Sequence, residues 1–312
     1  MILGMLAILP KRVVLSRKGF DSVAGGCASP IFEDGRMFSF PIPESARHPE
    51  VNVTFSSLRT DHPNQVATVL GGLKPKFDLC RKVHLDPDIR PGLRPKNFAN
   101  DLMYFGQNGK DQTELDLGGV SDAVNASLFL FYGWFRGIEQ RTDGKIRYSK
   151  TVQHDPRSHD QHLMWGWLQP TSAPTRIIQG PLPDELKKAA HHPHLEDRNR
   201  GPNNCLYLAR KRLSFAPTIA GAGTFERYGP ALRLTCSRQS KRRSSWILPA
   251  FLRKAAQGRI RNAPWQADGD RERVSYRGYG QEFIFNTEGY EEETSTWLTS
   301  IFAHAPRLVK IP

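Results

Sequence analysis

Three groups of side chains in this sequence have the types and spacing that chemistry requires. The first follows an apolar run at 13–15. It comprises Arg17, Lys18, Asp21 and Ser22, with Gly19, Gly25 and Gly26 supplying tight backbone. A guanidinium holds phosphate in bidentate fashion and a lysine adds a mobile point charge, so Arg17 and Lys18 suit an anionic ligand, with Ser22 beside them. Asp21 would then act as a general base or orient a nucleophilic water. A polar turn closing a strand edge explains the same residues without a ligand.

The second group is His84 and Asp86, followed by Asp88 and Arg90. On an extended backbone His84 and Asp86 point to one side. The pair can serve as base and orienting carboxylate, or as two metal ligands. With a distant third histidine, His162 or His194, it matches the two-His-one-carboxylate pattern of non-haem iron sites. Yet His-x-Asp is common by chance, and no arginine at a suitable spacing supplies a cosubstrate anchor. A turn at Asp86-Pro87-Asp88, with both acids accepting from backbone amides, is the competing explanation.

The third group is His162, His191, His192 and His194. His162 opens an apolar run and would sit at a pocket rim. His192-Pro193-His194 lies in a proline-rich loop, which can reach a site built elsewhere. A zinc site here would lack the helical H-E-x-x-H spacing. Tyr104, Phe105, Gln107, Asn108 and Gly109 offer stacking rings and an amide for a base edge. Gln281 and Glu282 add an amide and an acid at a strand start. The Walker A, G-x-G-x-x-G and G-x-S-x-G patterns are absent, so a P-loop, a standard dinucleotide site and a nucleophile elbow have no support.

Secondary structure must hold these groups in place. The run at 13–15 predicts a short buried strand. Residues 36–40 predict a strand after the Asp34-Gly35 turn, broken by Pro41 and Pro43. Residues 64–70 predict a short helix before Gly71-Gly72. The aromatic and aliphatic run 128–134 predicts a central strand. Residues 162–168 predict another, with Trp165 and Trp167 on one face under period-two geometry. Further strands are predicted at 205–209, 232–236, 245–248 and 282–285. Residues 291–302 make the best helix: acids lead it, and Trp297, Leu298, Ile301 and Phe302 form an apolar stripe. Many short strands, few helices and 23 prolines predict an α+β fold, a β-rich mixed sheet with peripheral helices and long loops, rather than a doubly wound one. A single domain over 12–312 is expected; if it has two lobes, they meet in the proline-rich stretch 181–203.

The 312 residues include six Trp and 17 Phe, enough apolar mass for a large folded core. Lys and Arg number 44 against 31 Asp and Glu, a net charge of +13. That excess favours a polyanionic partner or an anionic substrate by electrostatic steering. Arg238, Lys241, Arg242 and Arg243, then Arg253, Lys254, Arg259 and Arg261, could track a phosphate backbone or simply face solvent. Four scattered cysteines exclude a disulfide framework and a Cys-rich zinc site, which fits a reducing cytoplasm. Residues 1–10 are briefly apolar without a preceding basic segment or a clear cleavage pattern, so no signal peptide is expected. No membrane span is expected either.

The motifs RKGFDS, GG, SPIFEDGR and SFPIP within 17–43 resemble the opening of the nucleotide modification associated domain family, third type. HLDPDIRPG at 84–92, FGQNG at 105–109, LFLFYGWFR at 128–136, HLMWGWLQ at 162–169, HPH at 192–194, LPAF at 248–251 and GQEFIF at 280–285 are similar in the same order. The resemblance implies an α+β domain found among systems that modify bases in nucleic acid, with other proteins of such a system as partners. It also implies that residues 1–11 are an N-terminal extension. It supplies no reaction and no cofactor. Glu114 stands where relatives commonly carry a histidine beyond the FGQ-x-G segment.

The leading expectation is therefore an enzyme acting on a nucleotide or on a base within nucleic acid. Arg17 and Lys18 would grip phosphate. Asp21, helped by His84 and Asp86, would handle protons, and His162 and His194 would complete the pocket. The alternatives are a non-catalytic nucleic-acid-binding subunit of a modification system, and a metal-dependent oxygenase or hydrolase. Cofactor and metal requirement stay open.

Overall fold

The computed structural model of this chain describes residues 8–22, 26–43, 53–58, 66–94, 101–107, 127–152, 154–171, 175–176, 192–195, 204–235, 244–276 and 282–306. The first half supplies strands β1 (Arg12–Arg17), β2 (Ser29–Ile31), β3 (Ile42–Pro43), β4 (Val83–His84), β5 (Tyr104–Gln107) and β6 (Ser127–Gln140). The second half adds β7 (Ile146–Tyr148), β8 (Gln161–Leu168), β9 (Thr175–Arg176), β10 (Cys205–Leu208), β11 (Ala222–Thr224) and β12 (Ser245–Pro249). After these come β13 (Ala256–Gln257), β14 (Trp265–Asp268), β15 (Arg271–Ser275) and β16 (Glu282–Asn286). The helices are α1 (Val66–Leu73), α2 (Phe251–Ala255), α3 (Gly258–Arg261) and α4 (Glu291–Phe302).

The central sheet runs β11-β8-β6-β1-β16-β13, with β2 and β7 also pairing to β6. β1 lies parallel to β6 and antiparallel to β16, so the sheet is mixed and the fold is a β-rich α+β one. Val13, Val14 and Leu15 are wholly buried. Both edges of β1 are paired and both faces are covered, which is why its sequence is continuously apolar rather than alternating. Three smaller sheets, β5-β10-β9, β12-β15-β14 and β3-β4, flank this one.

β6 is 14 residues long and carries two parallel partners end to end. β1 pairs with residues 127–132 and β2 with residues 135–137. Between them the chain leaves the sheet through the 3₁₀ turn Phe20–Ser22. That gap in the ladder is where the candidate site begins.

The pairing of β6 with β8 slips between Phe131 and Tyr132. Residues opposite each other in an antiparallel pair share a face, so Trp167, opposite Leu130, and His162, opposite Trp134, lie on one face. Trp165 packs on Phe131, on the other face. The inserted residue reverses the alternation, as bulges do. The expectation that Trp165 and Trp167 share a face is therefore corrected: Trp167 packs on Phe225 and Phe302 instead.

Two strand expectations also fail. Residues 36–40 form single bridges at Arg36 and Met37 only, because Phe40 is turned inward, its carbonyl accepting from Phe20 N–H and its N–H donating to Ser29 Oγ. Around 232–235 a 3₁₀ turn Pro230–Leu232 precedes isolated pairing of Arg233 and Leu234 with β8. Helix α1 begins at Val66 and runs through Gly71 and Gly72 rather than stopping before them.

The larger core lies around the central sheet. A second apolar cluster joins Phe20, Phe40 and Phe55 to α1 residues Val66, Val69 and Leu70. Helix α4 covers the sheet with Trp297, Leu298, Ile301 and Phe302, as its stripe predicts. Among the described residues no helix is long and apolar enough to cross a membrane. Among the described residues Cys27, Cys80 and Cys205 form no disulfide, and Cys236 lies outside the described residues.

Leu130 sits in β6, where it pairs between β1 and β8, with no exposed surface. Leu130→Ala is expected to lower stability by about 2–5 kcal/mol through lost burial and the cavity left behind, read as a shift in the urea midpoint with an unchanged slope.

Candidate functional site

Asp86 is the point on which the other groups converge. β4 pairs with β3 through Ile42 and His84, fixing His84 two residues before Asp86. Two residues after it, Asp88 exchanges both backbone hydrogen bonds with Tyr104, laying this segment beside β5. Arg94 grips the Asp88 carboxylate through Nε at 2.8 and 2.9 Å, so that acid is held in a structural pair. The Asp86 side chain is thereby turned inward and is almost fully buried.

The two oxygens of Asp86 have different surroundings. Oδ1 accepts from the Gly106 N–H at 2.7 Å and faces His192 Nε2 at 3.4 Å. Oδ2 faces Lys18 Nζ at 3.5 Å, His194 Nε2 at 3.7 Å and His84 Nε2 at 4.0 Å. Burial alone raises the carboxyl pKa. The Lys18 charge and the facing imidazoles of His192 and His194 outweigh it and hold the group well below its usual range, so it is ionised. Burial pushes His192 down to about 4 against the opposing pull of Asp86, so that ring is neutral near pH 7.

The hydrogen-bond network assigns proton positions on two of the rings. Asn204 Nδ2 donates to the His194 carbonyl at 2.7 Å, which turns Asn204 Oδ1 toward His194 Nδ1, also at 2.7 Å. His194 Nδ1 therefore carries a proton, and its Nε2 is the atom aimed at Asp86. His192 Nδ1 accepts from the His194 N–H at 3.3 Å, so its proton sits on Nε2, toward Asp86 Oδ1.

Above this group opens a narrow cleft lined by Lys18, Phe40, His84, Asp86, Arg90 and Trp165, among others. Phe40, Leu85 and Leu93 on its wall belong to the smaller apolar cluster and Trp165 to the larger, so the cleft lies where the two cores meet. Lys18 is held in place by its own backbone. Its N–H donates to the Tyr132 carbonyl, and its carbonyl accepts from Trp165 Nε1 at 2.8 Å. Its ammonium also lies 4.9 Å from the centre of the Phe105 ring. The Arg90 guanidinium is sandwiched 4.8 Å from the centre of the Phe38 ring and 5.0 Å from that of Trp165, with burial pulling its pKa down to about 9.

Several expected site residues lie elsewhere. Asp21 is buried beside the gap in the β6 ladder. Its Oδ1 accepts from the Trp134 N–H at 3.0 Å, replacing the strand partner missing there, and its Oδ2 pairs with Arg17 Nη2 at 2.7 Å. Arg17 and Asp21 thus hold each other, while Lys18 and Gly19 line the cleft. The side chain of Ser22 lies outside the described set. Gln107 donates to Glu282 Oε1 at 2.8 Å, and Ser16 does the same, forming a separate buried polar cluster. His162 stacks on Trp246 at 5.3 Å and meets Trp134 at 4.4 Å, on the face of β8 away from Trp165. Gln281, Arg238, Lys241, Arg242, Arg243, His191 and Glu114 fall outside the described residues. Gly106 and Asn204 were not singled out for a site role, and Arg90 was named beside His84 and Asp86 without one. The FGQ motif contained Gly106, but nothing local marked the partners of Asn204.

A family model described as nucleotide modification associated domain 3 matches residues 12–286, and the chain belongs to that family. No curated protein and no solved structure matches the chain.

Gly106 has a steric reason to be glycine. A Cβ there would lie 2.2 Å from His194 Cδ2 and 2.4 Å from its Cγ. Gly106→Ala is expected to displace His194 from Asp86 and to cost about 1–3 kcal/mol of stability, read by urea denaturation; an unchanged midpoint would mean that the ring is not pressed against this glycine. Asp21→Asn keeps the shape but strips Arg17 of its counter-charge. Its expected cost is about 3 kcal/mol, the penalty for breaking a largely buried pair. A melting curve like that of the parent protein would remove Asp21 from the structural role.

Proposed function

We propose that this member of the nucleotide modification associated domain 3 family is an enzyme that alters a nucleotide, or a base within nucleic acid, in the cleft around Asp86. The family description associates the chain with nucleotide modification. The observation that carries the enzymatic reading is the gathering of Lys18, His84, His192 and His194 around one buried carboxylate beneath a narrow cleft. An ordinary structural ion pair needs one cation for one acid. Three imidazoles and an ammonium on a single carboxylate, reachable from a cleft, are what proton transfer or ion-assisted chemistry requires.

The roles follow from position. Lys18 and Arg90 place two cations on the cleft wall and suit an anionic group such as a phosphate. Trp165 and Phe40 make part of the cleft wall apolar. His84 is the most exposed of the imidazoles around Asp86 and is the one placed to meet a substrate. Asp21 and Arg17 contribute by fixing the turn that presents Lys18, so proton handling is assigned to the Asp86 group rather than to Asp21. The net charge of +13 favours approach of a polyanion.

Asp86→Asn tests this reading. Asparagine retains the acceptor for the Gly106 N–H but removes the charge. Nucleosides from host DNA and RNA, compared by mass spectrometry with the parent gene, without it and with the variant, are expected to show a mass change that the variant loses. The expected rate loss is ~10²–10⁴. A variant that folds and still produces the full change would exclude Asp86 from the reaction.

A further inference from the structure

We propose that His84, Asp86 and His194 form a binding site for a single first-row divalent transition-metal ion. One ring nitrogen of each histidine and a carboxylate oxygen of Asp86 lie within 4.8 Å of one another. Adjacent ligands about 2.0–2.2 Å from a common ion sit roughly 3.0–3.5 Å apart. The distances of 3.7 Å and 4.0 Å from Asp86 Oδ2 to the two rings close to that range with side-chain shifts of about 1 Å or less.

The surroundings of these three residues are those of metal ligands. His194 is oriented through Nδ1 by Asn204, and Asp86 through Oδ1 by the Gly106 N–H, with His192 behind it. Such outer contacts fix the tautomer and aim the ligating atom. Here they leave His194 Nε2 and Asp86 Oδ2 facing each other, two acceptors unless a proton or a metal lies between them. Two imidazoles and one carboxylate suit a borderline dication such as Zn²⁺, Fe²⁺, Mn²⁺ or Co²⁺ better than Ca²⁺ or Mg²⁺, which prefer all-oxygen shells. Three protein ligands leave coordination positions for water or a substrate atom, and His84 and Asp86 both line the cleft from which these would come.

Lys18 gives the site a further property. Its ammonium lies 3.5 Å from the same Oδ2 and supplies positive charge where the metal would add its own. Metal and ammonium therefore compete for one oxygen, and removing the lysine charge should tighten metal binding.

The test uses the full chain stripped with a chelator and titrated with Co²⁺, whose visible absorption reports its ligands, and then with Zn²⁺, Mn²⁺ and anaerobic Fe²⁺. One ion per chain is expected. His84→Gln and His194→Gln should each weaken binding by a factor of 100 or more, Asn204→Leu by roughly 10–100-fold, and Lys18→Met should tighten it several-fold. Melting curves of the metal-free variants identify any that fail to fold; Lys18→Met and Asn204→Leu then still carry the test. Binding that is absent at millimolar metal, or unchanged by the two histidine variants, would overturn the proposal. The outcome is separable from that of the proposed function. A metal-free protein whose nucleoside change depends on Asp86 removes the metal and keeps the enzyme. A bound ion without any nucleoside change keeps the metal site and removes the enzyme.

Discussion

An ionised carboxylate out of water is tolerated only when donors and cations replace the solvent it has lost, and Asp86 imposes that requirement on everything around it. β4 and the Asp88–Tyr104 bridge bring the acid to the edge of β5. Gly106 offers its N–H to Asp86 and, having no side chain, leaves room for the His194 ring. The 3₁₀ turn Pro193–Leu195, tied by Asn204, delivers two imidazoles from a segment far away in sequence. Lys18 arrives from the end of β1. Four separate parts of the chain thus meet around one side chain, and the charge of that side chain is the reason they must.

The central sheet makes the meeting possible by leaving a gap. β6 is longer than either of its parallel partners, so a short stretch of that edge, between β1 and β2, is covered by neither strand. Asp21 fills the gap by accepting the Trp134 N–H, and Arg17 balances its charge. The chain can therefore turn outward at Lys18 and Gly19 without leaving a buried amide unsatisfied. On the neighbouring strand, the slip in β8 sends Trp165 rather than His162 toward the cleft. Two irregularities in an otherwise continuous sheet produce the opening and furnish its wall.

Much of the scaffold was legible from local pattern. The continuous apolar run of β1, the aromatic run of β6 and the helical stripe of α4 are local signals, and each forms an element where that signal lies. The site was legible only in part. His84 and Asp86 are near neighbours on extended backbone, so their shared direction could be read directly. His194 could be named only as one of several histidines, because its place depends on Asn204 and Gly106. Asp21 had the residue type of an acid catalyst, yet its contact with the Trp134 N–H, made across the break between β1 and β2, is invisible at residue 21. The faces of Trp165 and Trp167 were misread for a related reason: a one-residue slip in strand pairing leaves no mark in the pattern of either strand alone. Residue type showed which groups could do chemistry, and tertiary pairing selected among them.

A crystal structure with a bound nucleoside monophosphate tests the central claim most directly, because that claim is a matter of position. The expected result is density in the cleft, with the phosphate or a base edge within hydrogen-bonding distance of Lys18 or Arg90, close to His84. Density confined to a surface away from Asp86, with the cleft left closed, would contradict it.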